Sequence, residues 1–210
     1  MSNKTTMSSA EVLGRLIGFD TTSCNSNIPL IEFAEAFLRD HGVAAVRADY
    51  APGKTNLVAS IGPAVDGGIV LSGHTDTVPV TGQTWATDPF SMTGVDGDLF
   101  GRGTCDMKGF LACCLAAVPQ LKARNLTRPV HLVFSCDEEV SCEGVIPAIR
   151  RFGHDMPKPS VCIVGEPTMM DVVTGQKACQ AFETTITGVE AHSSNPQMGW
   201  SALNEAVLLT

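Results

Sequence analysis

Ile69-Val70-Leu71-Ser72-Gly73-His74-Thr75-Asp76 begins as an unbroken apolar run and ends on an imidazole and a carboxylate two residues apart. A strand with one wet face alternates apolar and polar residues, whereas a strand covered on both faces reads as a continuous apolar run. Val130-His131-Leu132-Val133-Phe134 and Val161-Cys162-Ile163-Val164 have the same character. Between the first two runs, Phe110, Leu111, Cys114, Leu115, Val118 and Leu121 recur at helical spacing, and Val145, Ile146 and Ile149 do so more briefly before the third. Strand and helix therefore alternate, which predicts an α/β fold: a mixed, mostly parallel sheet sandwiched by helices.

Outward from that core, Ser8 with Glu11 three residues later forms a capping-box pattern, predicting a helix over about 9–18. Pro29 opens a second helical pattern, Leu30, Phe33, Ala34 and Phe37, reaching about His41. Further strands are predicted near 43–48, 56–61 and 68–73. Pro119 is predicted to kink or end the helix that starts near residue 107. After about residue 180, Phe182, Thr184 and Ile186 alternate with polar residues, predicting a strand with one wet face, and a helix begins near Ser201. We therefore expect a larger domain over residues 1–178 and the start of a smaller α+β domain over 179–210.

Composition bounds the function. The chain has 210 residues, 44% hydrophobic and 17% charged, enough apolar material for a packed core, which excludes a disordered chain. Fourteen Lys and Arg against 22 Asp and Glu leave a net charge of −8, which argues against a nucleic-acid partner. No run of about 18 apolar residues is present, so no membrane association is expected. The start lacks the apolar region of a signal peptide, and the eight cysteines are too few for a disulfide scaffold, so free thiols in the cytoplasm are the expectation. Cys24, Cys136, Cys142, Cys162 and Cys179 read as small apolar filler.

Acidic and imidazole side chains collect where the apolar runs end. His74 and Asp76 follow the first, Asp137, Glu138 and Glu139 the second, and Glu166 the third, while Asp106 precedes the long helix. Ligands of open α/β sheets bind outside the carboxyl ends of the strands, so these groups can meet in one crevice. Each alone has a plainer reading: a surface turn, a helix-start acid, a solvated loop. Together they repel one another unless a divalent cation neutralises them, and zinc takes both imidazole nitrogen and carboxylate oxygen. Asp106 is placed to bridge two ions, and Asp76 to orient the His74 ring. Gly101-x-Gly103 lacks the third glycine of a dinucleotide loop, and no Walker, His-Glu-x-x-His or Gly-x-Ser-x-Gly pattern occurs.

The segments Ser72-Gly73-His74-Thr75-Asp76-Thr77-Val78-Pro79, Gly101-Arg102-Gly103-Thr104-Cys105-Asp106-Met107-Lys108-Gly109, Asp137-Glu138-Glu139 and Gly165-Glu166-Pro167-Thr168 resemble the co-catalytic zinc deacylases and exopeptidases. The resemblance implies two divalent ions, zinc or alternatively cobalt, one on His74, Asp106 and Glu166 and the other on Asp106 and Glu139. It implies Glu138 as general base, Asp76 as the residue orienting His74, and, from Ala191-His192-Ser193-Ser194, His192 as a donor to the oxyanion from a lid and dimerisation domain. Gly165-Glu166-Pro167-Thr168-Met169-Met170 and His192-Ser193-Ser194 are most similar to the acetylornithine deacetylase branch. Gln176 and Trp200 depart from it. The implied activity is removal of the acetyl group from N-acetylornithine in arginine biosynthesis, by a homodimer. A succinyl-diaminopimelate desuccinylase or another N-acyl amino acid hydrolase is the alternative. The family's second ion also takes a histidine late in full-length members, whereas the histidines here are His41, His74, His131, His154 and His192. The resemblance thus covers about the first half of a typical member, and implies a fragment or a truncated, inactive chain with an incomplete second site.

Overall fold

The computed structural model describes residues 7–177 and 182–208. Cys179, the expected boundary after residue 178 and the last two residues of the expected C-terminal helix lie outside the described residues. Two compact units are present, Met1–Met170 and Asp171–Thr210.

In the first unit, α1 (Ser9–Ile17) starts as its capping box requires: Ser8 Oγ accepts the Glu11 N–H at 3.2 Å, and the Glu11 carboxylate accepts the Ser8 N–H at 2.7 Å. α2 (Ile28–Asp40) carries Pro29 in its first turn. Next come β1 (Ala45–Ala51), β2 (Lys54–Ile61) and β3 (Gly68–His74), then a small hairpin of β4 (Thr93–Val95) and β5 (Asp98–Phe100). The unit continues with α3 (Lys108–Ala123), β6 (Val130–Ser135), the short helices α4 (Glu138–Ser141) and α5 (Ile146–Ile149), and β7 (Pro159–Val164).

The main sheet has the order β1-β2-β6-β3-β7. The pairings β1–β2 and β2–β6 are antiparallel, while β6–β3 and β3–β7 are parallel. The expected mixed α/β sheet is present, but it is not mostly parallel: two of its four pairings are antiparallel, and the parallel part is confined to the three strands of the apolar runs. β1 and β2 are joined by a two-residue turn, a connection too short for anything but antiparallel pairing. The longer crossovers through α3 and α5 make the parallel pairs.

Alternation along the strands explains the continuous apolar runs. Leu57, Leu132 and Phe134 face α1, α2 and α3, where Leu16, Leu30, Leu111 and Leu115 are fully buried. Val58, Val70 and Val133 face the other way, onto Ala148 and the half-buried Val145, Phe152 and Met156. The third run behaves differently: among the described residues β7 lies at the edge of the sheet beside β3, and Val161, Ile163 and Val164 are exposed. Pro119 does not end α3, which runs on to Ala123 and thereby carries Leu121 onto the core. Packing of the apolar face outweighs the backbone hydrogen bond that proline cannot donate. Of the cysteines read as filler, Cys136 is buried, whereas Cys24, Cys142 and Cys162 are exposed and free.

In the second unit, residues 182–188 form no strand, because no neighbouring segment among the described residues takes up their backbone groups. Val189 and Trp200 make an isolated antiparallel bridge, and α6 (Ala202–Val207) is capped by Ser201 Oγ, which accepts the Asn204 N–H at 3.3 Å. No helix among the described residues is long and apolar enough to cross a membrane.

Candidate metal centre

Parallel register places the chemistry. β3 and β6 pair His74 with Ser135, and β3 and β7 pair Ser72 with Val164, so the three strands end along one edge of the sheet. His74 closes β3, Asp137 to Glu139 follow β6, and Glu166 follows β7. Asp106 enters from the loop before α3, beside the buried Met107, whose Sδ lies 3.2 Å from the His74 main-chain N. The Asp106–Met107 peptide is cis.

His74 is the centre of the cluster and is only 2% exposed. Its Nδ1 lies 2.9 Å from the main-chain O of Asp76. A carbonyl can only accept, so Nδ1 carries the proton, and Nε2 of the neutral ring is left with a lone pair. That nitrogen faces oxygens that are themselves acceptors: Asp106 Oδ1 at 3.0 Å, Glu166 Oε1 at 3.6 Å and Glu138 Oε2 at 3.8 Å. Acceptors converging on an acceptor require a proton or a metal cation between them. Two sets of donor atoms lie close enough to share an ion: His74 with Asp106 and Glu139, and His74 with Glu138 and Glu166.

The electrostatics agree. Burial pulls the His74 pKa down, but the Asp76 carboxylate and carbonyl, Glu166 and Glu138 outweigh it, and the net shift is upward. Burial pushes Glu139 up, reinforced by Asp106, Glu138 and Asp76 against the pull of His74. Burial likewise raises Glu166, with His74 opposing and Asp106, Glu138 and Glu139 adding to it. Like charges held together hold protons that a divalent ion would displace. One imidazole nitrogen with several carboxylate oxygens suits zinc, cobalt or manganese, so the residues fit a metal. The side chains of Asp106, Glu138 and Glu166 are 49%, 40% and 38% exposed, leaving the cluster open on one side.

His74, Asp106, Glu139 and Glu166 lie around one imidazole, with Glu138 among them. The close sets join Asp106 to Glu139 and Glu166 to Glu138, whereas the sequence resemblance puts Asp106 and Glu166 on the same ion. Asp76 lies beneath: it holds the imidazole through its carbonyl, while its carboxylate stands 3.6 Å from Nδ1. His192 belongs to the second unit, where it is exposed and its Nδ1 meets Ser194 Oγ at 2.8 Å. Sequence reasoning missed Ser23, whose hydroxyl donates to Asp76 Oδ2 at 2.8 Å, and Lys54, which pairs with Asp137 at 2.6 Å. Neither lies in a recognisable motif; the fold alone brings them 53 and 83 positions across the sequence to those partners.

The model of peptidase family M20/M25/M40 matches residues 70–208. Acetylornithine deacetylase of Vibrio campbellii is 36% identical over 178 residues, 84% of this chain and 46% of that protein. The Vibrio atlanticus protein of the same name is 35% identical over 200 residues, 92% of this chain and 52% of that one. The chain thus spans about half the length of the curated relatives it matches. Among solved structures, an M20 family metallo-carboxypeptidase from Sulfolobus solfataricus superposes with a TM-score of 0.65 at 22% identity, over 76% of this chain and 37% of that one. Aminopeptidase PepT from Bacillus cereus gives 0.63 at 18% identity, over 96% and 56%. At those identities the likeness is one of fold.

Proposed function

The chain belongs to the M20/M25/M40 peptidase family, and from that premise we propose that it carries the metal centre of a hydrolase that removes the acetyl group from N-acetylornithine, giving ornithine and acetate. The observation that carries the metal-dependent part is the His74 Nε2 lone pair facing three carboxylate oxygens. The substrate is argued from the name shared by relatives that match 84% and 92% of this chain.

In this reading His74, Asp106 and Glu166 hold one ion and Asp106 and Glu139 a second, with zinc the first choice and cobalt the alternative. Such ions supply Lewis-acid polarisation of the scissile carbonyl and acidify the attacking water. Glu138 takes the proton from that water and passes it to the departing amine. Its half-exposed carboxylate is reachable from solvent, as that task requires. Asp76 fixes the His74 tautomer through its carbonyl, leaving Nε2 free to bind. His192, in a lid and dimerisation domain beginning near residue 179, donates to the oxyanion. The free thiols fit a reducing, cytoplasmic compartment, and the homodimer rests on the family resemblance of the second unit alone.

Because this chain spans about half of its relatives and the second ion is expected to take a further histidine, the reading is tested on a full-length version, by acetate release from N-acetylornithine measured before and after chelation. Chelation abolishes turnover, zinc or cobalt restores it, and Glu138→Gln lowers kcat by about 100-fold or more. Turnover that survives complete metal removal overturns the mechanism. Preference for succinyl-diaminopimelate moves the substrate assignment to the neighbouring activity.

A further inference from the structure

The three consecutive acids after β6 do two different jobs. Glu138 and Glu139 enter the groups around His74, whereas the carboxylate of Asp137 points to Lys54, Oδ1 to Nζ at 2.6 Å. Both side chains of that ion pair are largely buried, 11% and 14% exposed. The same Nζ donates to the main-chain O of Ser23 at 2.6 Å. One cation at the start of β2 therefore ties the loop between α1 and α2 to the end of β6.

The backbone shows what the tie achieves. Asp137 is left-handed, at φ 55° and ψ 39°, a conformation that side chains other than glycine adopt mainly where their surroundings enforce it. The reversal directs the next two N–H groups onto one carboxylate: Asp76 Oδ1 accepts from Glu138 at 3.1 Å and Oδ2 from Glu139 at 3.2 Å. Ser23 acts at both ends of this arrangement, accepting from Lys54 with its carbonyl and donating to Asp76 with its hydroxyl.

We propose that Lys54 is a positioning residue for the Glu138 and Glu139 pair, holding the left-handed turn at Asp137 so that both glutamates face His74. An exposed ion pair would contribute little; this one is buried, and removing the ammonium leaves Asp137 without its partner. The effect on ion binding rests on the metal-centre reading above, while the effect on the backbone does not.

Two readouts on the full 210-residue chain separate the possibilities: amide hydrogen exchange at Glu138 and Glu139 without metal, and cobalt(II) titration followed by visible absorption. Lys54→Met accelerates exchange at those two amides by about tenfold or more while the β6 amides keep their protection. It also weakens cobalt binding by about 10- to 100-fold, and Lys54→Arg recovers most of both losses. Unchanged exchange at Glu138 and Glu139 overturns the inference, as does wild-type cobalt affinity in Lys54→Met. If Lys54→Met fails to fold, Asp137→Asn, which removes the ion pair yet tolerates the left-handed backbone, is read by the same two criteria. A wild-type chain that binds no cobalt while the exchange result holds sinks the metal centre and leaves the positioning role standing.

Discussion

The carboxylate of Asp76 lies closer to the backbone of Glu138 than to the ring of His74. Its Oδ1 accepts the Glu138 N–H at 3.1 Å, whereas the same oxygen stands 3.6 Å from His74 Nδ1, whose proton goes to the Asp76 carbonyl at 2.9 Å. With Glu139 N–H and the Ser23 hydroxyl on Oδ2, the carboxylate accepts three hydrogen bonds at a site 1% exposed to solvent. One residue thus sets the imidazole with its main chain and the acidic loop with its side chain. Asp76→Asn turns one of those oxygens into a donor facing a donor, and costs about 3 kcal/mol. Urea unfolding checks this, since a midpoint equal to wild type would mean the loop does not depend on the carboxylate.

In the metal-free chain the site titrates in one direction. Glu139 and Glu166 have folded pKa values raised above 4.5, and His74 a value raised above 6.5, so the folded chain holds protons that the unfolded chain has released. Stability from these groups is full below their unfolded values and is lost as pH rises through the folded ones. His131 works the other way: burial lowers its pKa, and stability falls as pH drops below 6.5. The two glutamates begin to lose their contribution above pH 4.5 and His74 above pH 6.5, so Tm in chelator falls as pH rises above 6.5, where His131 no longer opposes, and added zinc or cobalt removes the fall. A Tm that climbs over that window in chelator contradicts the proton-loaded cluster.

The site was legible because strand ends carry it: apolar runs mark buried strands, and parallel neighbours finish on the same edge, so His74, Glu139 and Glu166 could be placed from spacing alone. β7 was read as covered on both faces, yet Val161, Ile163 and Val164 are exposed, because among the described residues little packs onto the faces of this strand. The β4–β5 hairpin did carry a signal, Asp96-Gly97, whose φ values of 52° and 93° are those of a two-residue hairpin turn. Ser23 and Lys54 carried none. Their contacts follow from how β2, β6 and the loop after α1 pack, which no local pattern encodes.

Pro119 tests how firmly tertiary packing holds α3. The helix passes through it with Leu115 and Val118 fully buried and Leu121 packed on the core, so the carbonyl of Leu115 has no N–H at position 119 to bind. Pro119→Ala restores that donor and relieves the ring's clash with the preceding turn, while loosening the unfolded chain. The net expectation is a gain of about 2 kcal/mol, read as a higher urea midpoint at unchanged slope. No gain would show that α3 already bends to absorb the proline.

Gly165 lies between β7 and Glu166, one of the proposed metal ligands, and its N–H donates to the Ser72 carbonyl at 3.0 Å, extending the β3–β7 pairing. A Cβ there would sit 2.1 Å from Cγ of Phe110, a separation no real structure tolerates. Either the Phe110 ring leaves its place against the core or the chain at Gly165 lifts and takes Glu166 with it. The backbone bond to Ser72 resists the second route and core packing resists the first, so the strain is divided between them. Gly165→Ala is therefore expected both to lower stability and to weaken cobalt binding by about tenfold or more. Phe110→Ala opens the space, so combining the two recovers ion affinity, and the double-mutant cycle shows a coupling of about 1 kcal/mol or more. Additive losses would mean that the ring does not control the position of Glu166.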